Sequence, residues 1–231
     1  MTAASIRLLP AEPPQPRTAR IPVGRARRWR SPLEGISGSE SPEDASAGGN
    51  AAHPNVAVFV TQRAYVACCA HAASDMENEV GGWLVGKWRA DRRTGEQFIV
   101  VEAILPAPHT RHGSAYLTFT QDTQLALYDE LKARYPNKDL VGWYHTHPRM
   151  GVFLSSYDTW LHSNFFPEPY QVALVIEPYF GTGGFFIRRS DGKFDPRHYF
   201  GFYELLQRSR SVVTWRNLLE EDPQAQQGDP V

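Results

Sequence analysis

The chain has 231 residues, of which 42% are hydrophobic, and this length and composition fit one folded domain with tails. A formal net charge of −1 excludes a general electrostatic attraction to nucleic acid or to membranes. The two cysteines, Cys68 and Cys69, are adjacent, which excludes a disulfide framework, and no apolar run approaches the ~20 residues of a membrane span. We therefore expect a cytoplasmic protein.

The first 54 residues differ in composition from the rest. Seven arginines, five prolines and a single acid fall within residues 1–30, and acidic residues then follow amid serine, glycine and proline. Because large apolar side chains are too few to bury a core, we predict a disordered tail over 1–54, Arg/Pro-rich and then acidic. Three interpretations stay open: a transit peptide, a tail that docks on an acidic partner, and a solvated tail without specific function.

A folded domain is predicted over residues 55–221, and a flexible tail over 222–231. Apolar spacing and turn residues predict these elements in chain order: a strand (55–60), a helix (61–74), an antiparallel strand pair (80–90 and 97–105), a loop (106–115), a strand (116–119), a helix (122–135), a buried strand (140–144), a short helix (156–165), an apolar strand (171–177) and a C-terminal helix (211–221).

Two histidines lie at the end of the predicted strand in the stretch Gly142-Trp-Tyr-His-Thr-His-Pro148. Side chains at positions i and i+2 of a strand point to the same face, so His145 and His147 project together. Asp158 follows eleven residues after His147, near the start of a predicted helix. Two imidazoles and a carboxylate suit zinc, and three protein ligands leave a fourth tetrahedral position open, as in catalytic sites.

A His-x-His pair by itself is more often structural or surface-exposed than metal-binding, and the longer pattern changes this assessment. Glu79-Val-Gly-Gly-Trp-Leu-Val-Gly86 precedes the histidines, and Ser155 precedes Asp158 by three residues. In these positions the chain resembles the JAMM (JAB1/MPN/Mov34) zinc metalloprotease family over residues 55–205. The resemblance implies an α/β fold of the MPN/JAB, cytidine-deaminase-like type, in which helices flank a curved, mixed, largely antiparallel sheet.

The resemblance also implies roles for five residues. His145, His147 and Asp158 would hold one catalytic zinc ion that activates a water molecule. Glu79 would shuttle a proton from that water to the leaving nitrogen. Ser155 would donate its hydroxyl to the developing oxyanion.

The substrate implied by the family is the bond after the C-terminal tail of ubiquitin or a ubiquitin-like protein, which makes the chain a deubiquitinase-like isopeptidase. Residues 106–115 are interpreted as a lid that clamps this tail as an added strand, with Gly113 at its hinge. The alternatives are a processing protease for a ubiquitin-like sulfur-carrier precursor and a non-catalytic MPN scaffold. A nucleic-acid partner is not expected, because the sequence predicts no basic patch in the folded part.

Several neighbouring residues are weighed against these assignments. Glu77 would be the shuttle if the register of its segment shifted by two residues, and His162, one helical turn beyond Asp158, is interpreted as a surface histidine. The remaining candidates are not expected to take part in the chemistry. We expect His109 and His112 to be solvated in a loop, and Trp143 and Tyr144 to lie in the core.

Overall fold

A mixed β-sheet and three α-helices make up the computed structural model of the chain, which describes residues 14–34, 54–107, 121–189, 192–207 and 209–221. The helices are α1 (Gln62–Ala72), α2 (Gln121–Arg134) and α3 (Ser156–Phe165). The strands are β1 (Arg17–Ala19), β2 (Ala26–Arg30), β3 (Ala57–Thr61), β4 (Gly81–Asp91), β5 (Gln97–Pro106), β6 (Asp139–Thr146), β7 (Val172–Glu177), β8 (Thr182–Phe186), β9 (Phe202–Leu205) and β10 (Leu219–Glu220). No helix among these residues is long and apolar enough to cross a membrane.

The strand order is β10-β2-β9-β3-β5-β4-β6-β7-β8, with β1 added beside the end of β4. Among the described residues, five neighbouring pairs are antiparallel and four are parallel. The expected α/β fold with a mixed sheet flanked by helices is therefore confirmed. Parallel pairing of β6 with β7 requires a crossover connection, and α3 lies in it.

Each face of the sheet packs against different helices. On one face, α1 contributes Ala64, Tyr65 and Cys68 to a core that also contains Tyr144. On the other face, Leu127 of α2 and Leu161 of α3 join a second core that contains Trp143. Trp143 and Tyr144 are both fully buried, so their predicted place in the core is confirmed. Strand β6 runs between these two cores; His145 is its next-to-last residue, and His147 follows the strand directly.

The prediction of disorder over residues 1–54 is wrong for residues 14–34. Strand β2 pairs with β9, and β1 pairs with β4. The Trp29 indole Nε1 donates to the Glu204 carboxylate 3.2 Å away and so anchors this segment to the domain. The composition of the segment does not reveal this contact, because it depends on a single aromatic residue and a distant partner. Residues 1–13, 35–53 and 222–231 lie outside the described residues.

The predicted C-terminal helix over 211–221 is also wrong. This segment contains no helix; it passes through a turn at residues 216–217 and ends in β10, which pairs with β2. Its backbone amides are bonded by side chains of other elements: Val212 N donates to Glu204 and Thr214 N donates to the Tyr65 hydroxyl. The apolar spacing reflects Trp215 and Leu218, which lie at the two ends of one turn, joined by a bond from Leu218 N to Trp215 O, and both enter the core.

Candidate metal centre

His145 and His147 reach one buried point because β6 is held between two neighbouring strands. His145 lies opposite Gly81 of β4 and Val175 of β7. His147 follows the strand, and its backbone N donates to Ile176 O at 2.9 Å. The two side chains are buried, with 0% and 3% of their surface exposed.

Gly142 lets β6 approach β7 closely enough for this arrangement. A Cβ atom added at Gly142 would lie 2.1 Å from the carbonyl oxygen of Val172. Since backbone atoms on both sides are fixed by the sheet, a larger residue would push the two strands apart.

Asp158 is brought to the same point by the first turn of α3. Ser155 is the N-cap residue, and the two residues form a capping box. Asp158 Oδ2 accepts from Ser155 N at 2.7 Å and from Ser155 Oγ at 2.6 Å, while Ser155 Oγ accepts from Asp158 N at 3.1 Å. The cap therefore fixes both the start of the helix and the orientation of the carboxylate.

The three side chains converge on one another as metal ligands do. Nε2 of His145 lies 3.3 Å from Asp158 Oδ1, and Nε2 of His147 lies 3.5 Å from Asp158 Oδ2. These two distances end on different oxygens of the carboxylate; with one ligand atom taken from each of the three residues, all three atoms lie within 4.8 Å of one another, close enough to surround one ion. The two Nε2 atoms are 2.9 Å apart, so a bound ion would require them to separate by a few tenths of an ångström.

The protonation states of the group also fit a cation. Burial lowers the pKa of His145 and keeps its imidazole neutral. Burial opposes ionisation of Asp158, but hydrogen bonds with His145 and His147 outweigh it and hold the pKa of this carboxyl below its usual range. The Nδ1 atoms of both histidines are buried without a hydrogen-bond partner in the described part of the chain. A neutral imidazole and an ionised carboxylate are the forms that bind metal.

Glu79 lies at the edge of this group. Its Oε1 is 4.0 Å from Nε2 of His147, and 9% of its side chain is exposed. Two hydrogen bonds of Val80 set the position of its backbone: Val80 N donates to Thr146 Oγ1 at 2.9 Å, and Thr146 N donates to Val80 O at 2.8 Å. Glu77, by contrast, is exposed and accepts a hydrogen bond from the Tyr179 hydroxyl.

Two residues near the site were not predicted correctly from the sequence. His162 is buried rather than on the surface, and its Nδ1 accepts a hydrogen bond from Trp143 Nε1 at 3.0 Å. Glu177, which the sequence analysis did not single out, is fully buried at the end of β7. It accepts from the backbone N of Arg149 at 2.8 Å, where Arg149 has a left-handed φ of 62°, and so fixes the turn after His147. The sequence signal for Glu177 was its place as the one charged residue of β7, at the end of an otherwise apolar strand.

The predicted lid and its hinge at Gly113 fall mostly within residues 108–120, which lie outside the described residues, as do His109 and His112. The preceding residue, Ala107, donates its backbone N to Gly81 O at 2.8 Å. Gly81 lies opposite His145 in the sheet, so the chain leaves β5 beside the metal centre.

Comparison with known proteins relates these features to a family. Residues 53–166 match the family model described as JAB1/Mov34/MPN/PAD-1 ubiquitin protease. COP9 signalosome complex subunit 5 of Candida albicans is 30% identical over 126 residues, which are 52% of this chain and 20% of that protein. Ubiquitin carboxyl-terminal hydrolase RPN11 of Saccharomyces cerevisiae is 26% identical over 122 residues, 52% of this chain and 38% of that protein.

The chain thus spans less than half the length of these two curated relatives. A solution structure of a protein from Desulfitobacterium hafniense is similar with a TM-score of 0.45 and 21% identity, over 61% of this chain and 91% of that chain.

Proposed function

This chain belongs to the JAB1/Mov34/MPN/PAD-1 family through residues 53–166, and we propose that it is a zinc-dependent isopeptidase. Its substrate would be the peptide or isopeptide bond after the C-terminal tail of ubiquitin or a ubiquitin-like protein. The observation that carries the proposal is the buried convergence of His145, His147 and Asp158. The name of the yeast relative, a ubiquitin carboxyl-terminal hydrolase, supports the substrate class.

The ligand set supports zinc as the resident ion. His145 and His147 would each bind through Nε2, and Asp158 through one carboxylate oxygen, a donor set typical of catalytic zinc with one position left open. Zinc bound here would supply a water molecule of lowered pKa, from ~16 toward ~7, and would polarise the scissile carbonyl.

Glu79 is the proposed proton shuttle. Its carboxylate lies beside the ligands, 4.0 Å from Nε2 of His147, and is largely removed from bulk solvent. Oε1 would accept the proton that the attacking water loses and would then donate it to the leaving nitrogen. Glu77 is a poor candidate for this role because its carboxylate is exposed and engaged with Arg149 and Tyr179.

Ser155 has two proposed tasks. Its hydroxyl orients Asp158 by donating to Oδ2 at 2.6 Å. During the reaction the same hydroxyl would turn toward the oxyanion of the substrate, where one such donor is typically worth ~3 kcal/mol. Both tasks need a hydroxyl at this position, so Ser155→Ala tests both. Loss of the first task would weaken metal binding, and loss of the second would slow turnover.

The test combines zinc content with cleavage of two substrates by wild type and by Glu79→Gln. One substrate is a linear fusion to the C-terminus of ubiquitin, and the other is a ubiquitin–lysine isopeptide conjugate. We expect one zinc per chain and chelator-sensitive cleavage in the wild type, and retained zinc with lost cleavage in Glu79→Gln. Cleavage of the linear fusion alone would favour a precursor-processing protease. A folded wild-type chain that binds no zinc would contradict the proposal and leave a non-catalytic scaffold.

A further inference from the structure

A groove of about 820 Å³ lies between residues 20–25 and the turn that follows β4. The candidate metal centre lies beside the first residues of β4 and this groove lies beside its last, so the eleven residues of the strand separate them by roughly 30 Å. The groove is therefore distinct from the proposed active site.

Asp91 builds the groove by joining its two walls. Its Oδ2 accepts from Ile21 N at 2.7 Å, and its Oδ1 accepts from Arg93 N at 2.9 Å and Thr94 N at 3.0 Å. The backbone amides of Ile21, Arg93 and Thr94 lower the pKa of the Asp91 carboxyl to about 2. Asp91, the one acidic residue among the described residues of the lining, thus uses its carboxylate to hold the backbone.

The remaining charge of the groove is positive. Four exposed arginines line it: Arg20, Arg25, Arg92 and Arg93. None of them forms an ion pair with a carboxylate in the described part of the chain. No basic patch was expected in the folded part, but pairing of β1 with β4 brings Arg20 and Arg25 of the N-terminal segment beside Arg92 and Arg93.

The other groove features favour a polypeptide over a nucleic acid. Ile21, Pro22 and Val23 form an apolar wall, and Val23 is 48% exposed. None of the described residues that line the groove is aromatic, so they offer no stacking face of the kind on which single-stranded bases are bound. Within the described part of the chain, β1 pairs with β4 alone, and its other edge is of the kind to which an added strand pairs.

We propose that this basic groove binds an extended, acidic segment of a partner protein. Acidic side chains of the segment pair with the four arginines, and its apolar side chains pack on Ile21, Pro22 and Val23. Because the arginines are exposed, their contribution is sensitive to salt.

The test is fluorescence anisotropy with the full-length chain and a fluorescein-labelled peptide that alternates glutamate and leucine. A labelled peptide that alternates lysine and leucine tests whether binding depends on the acidic charge. A labelled single-stranded oligonucleotide tests the alternative that the groove binds nucleic acid. We expect saturable binding of the acidic peptide that weakens between ~0.05 and ~0.3 M NaCl. The double variant Arg92→Glu, Arg93→Glu is expected to bind at least about tenfold more weakly.

The control variant Arg63→Glu, Arg216→Glu makes the same change of charge at two exposed arginines outside the groove and is expected to bind like the wild type. Equal loss in both double variants, or no saturable binding, would overturn the proposal. Tighter binding of the oligonucleotide than of the acidic peptide would overturn it in favour of a nucleic-acid surface. Glu79→Gln is expected to bind the peptide normally, so failure here is distinguishable from failure of the proposed catalytic function.

Discussion

The indole of Trp143 stacks on the imidazole of His145, with ring centroids 4.6 Å apart and ring planes 8° apart. Trp143 is itself fixed by the ring of Phe166, 5.7 Å away, and by the hydrogen bond from its Nε1 to His162. Nδ1 of His145 has no hydrogen-bond partner among the described residues, so core packing against Trp143 orients the ring together with the contacts of its Nε2 to Asp158 and His147. The candidate metal centre is therefore an extension of the hydrophobic core, and core substitutions should affect it.

The first prediction tests this link with Trp143→Phe. The smaller ring leaves a cavity and removes the donor to the buried Nδ1 of His162, so we expect the free energy of unfolding to fall by about 2 kcal/mol. We also expect weaker zinc binding, since the His145 ring loses part of its support. Chemical denaturation and chelator competition measure the two effects. Trp160→Phe is the matched control, because Trp160 is 51% exposed on α3 and should change stability by no more than about 0.5 kcal/mol. Equal losses in the two variants would contradict the link.

The second prediction concerns Ser155→Ala. Loss of the N-cap is expected to cost about 1 kcal/mol of stability, and loss of the hydroxyl bond to Asp158 should weaken zinc binding. Ser163→Ala, in the same helix, removes an exposed hydroxyl that donates to Thr159 O, and serves as the control. Turnover measured at saturating zinc separates the two proposed tasks of Ser155. A fall in kcat of ~100-fold or more under these conditions supports the oxyanion role, whereas normal kcat would limit Ser155 to orienting Asp158.

Local chemistry made much of the site predictable from the sequence. The helix predicted over 156–165 is α3, Ser156–Phe165, because its capping residues lie within one turn. The histidines face one point because strand geometry relates positions i and i+2. The structure brings these ligands and Asp158 together, and their binding of zinc stays a prediction.

Contacts between distant parts of the chain were not predictable in this way. Trp29 contacts Glu204 across 175 residues, and nothing in an Arg/Pro-rich segment indicates such a partner. His162 is one turn from Asp158 on the face of α3 that meets the sheet, but its polarity suggests a surface position. The hydrogen bond from Trp143 and the flanking ring of Phe194, 4.7 Å away, explain why a histidine is accommodated there.

The third prediction is a pH dependence of stability from His162. Burial, aided by the charge of Arg188, lowers the pKa of His162 from 6.5 to about 3 in the folded chain. Between these values the unfolded chain binds a proton that the folded chain does not. The stability of the folded state is therefore full above pH ~6.5 and falls as the pH drops, by up to about 1.4 kcal/mol per pH unit. Urea denaturation of zinc-free protein across this window should show a smaller slope for His162→Gln, and parallel slopes would contradict the assignment.

The fourth prediction is the effect of Gly142→Ala. Its Cβ would lie 2.1 Å from the backbone carbonyl oxygen of Val172, the residue that faces Gly142 in the paired strand β7. We expect a loss of at least about 2 kcal/mol of stability together with weaker zinc binding, because separation of β6 and β7 displaces His145. Gly24→Ala is the control, since among the described residues none other than its two chain neighbours comes within 4 Å of its added Cβ. A Gly142→Ala variant as stable as the control would show that the strands are not in this contact.

The fifth prediction tests the buried carboxylate of Glu204, which bonds the segments that contain Trp29 and Val212 to the domain. Glu204 is fully buried and accepts hydrogen bonds from Trp29 Nε1, Gln62 Nε2, Ser211 Oγ and Val212 N. Glu204→Ala removes the acceptor of Trp29 Nε1, Ser211 Oγ and Val212 N, while Gln62 Nε2 keeps its bond to Arg210 O at 2.8 Å, so we expect a loss of about 3 kcal/mol or more. Release of the Trp29 anchor should also expose residues 14–34 to limited proteolysis.

The matched control for this carboxylate is Glu220→Ala. Glu220 pairs with Arg27 at 3.0 Å near the surface, and such a pair is typically worth no more than about 1 kcal/mol. Denaturation midpoints and the rate of cleavage within 14–34 are the two measurements. If Glu204→Ala lost stability without faster cleavage there, the carboxylate would stabilise the domain without holding its N-terminal strands. Faster cleavage in Glu204→Ala alone would show that pairing of β2 with β9 depends on this buried network, because the Glu220 variant leaves Trp29 and Glu204 in contact.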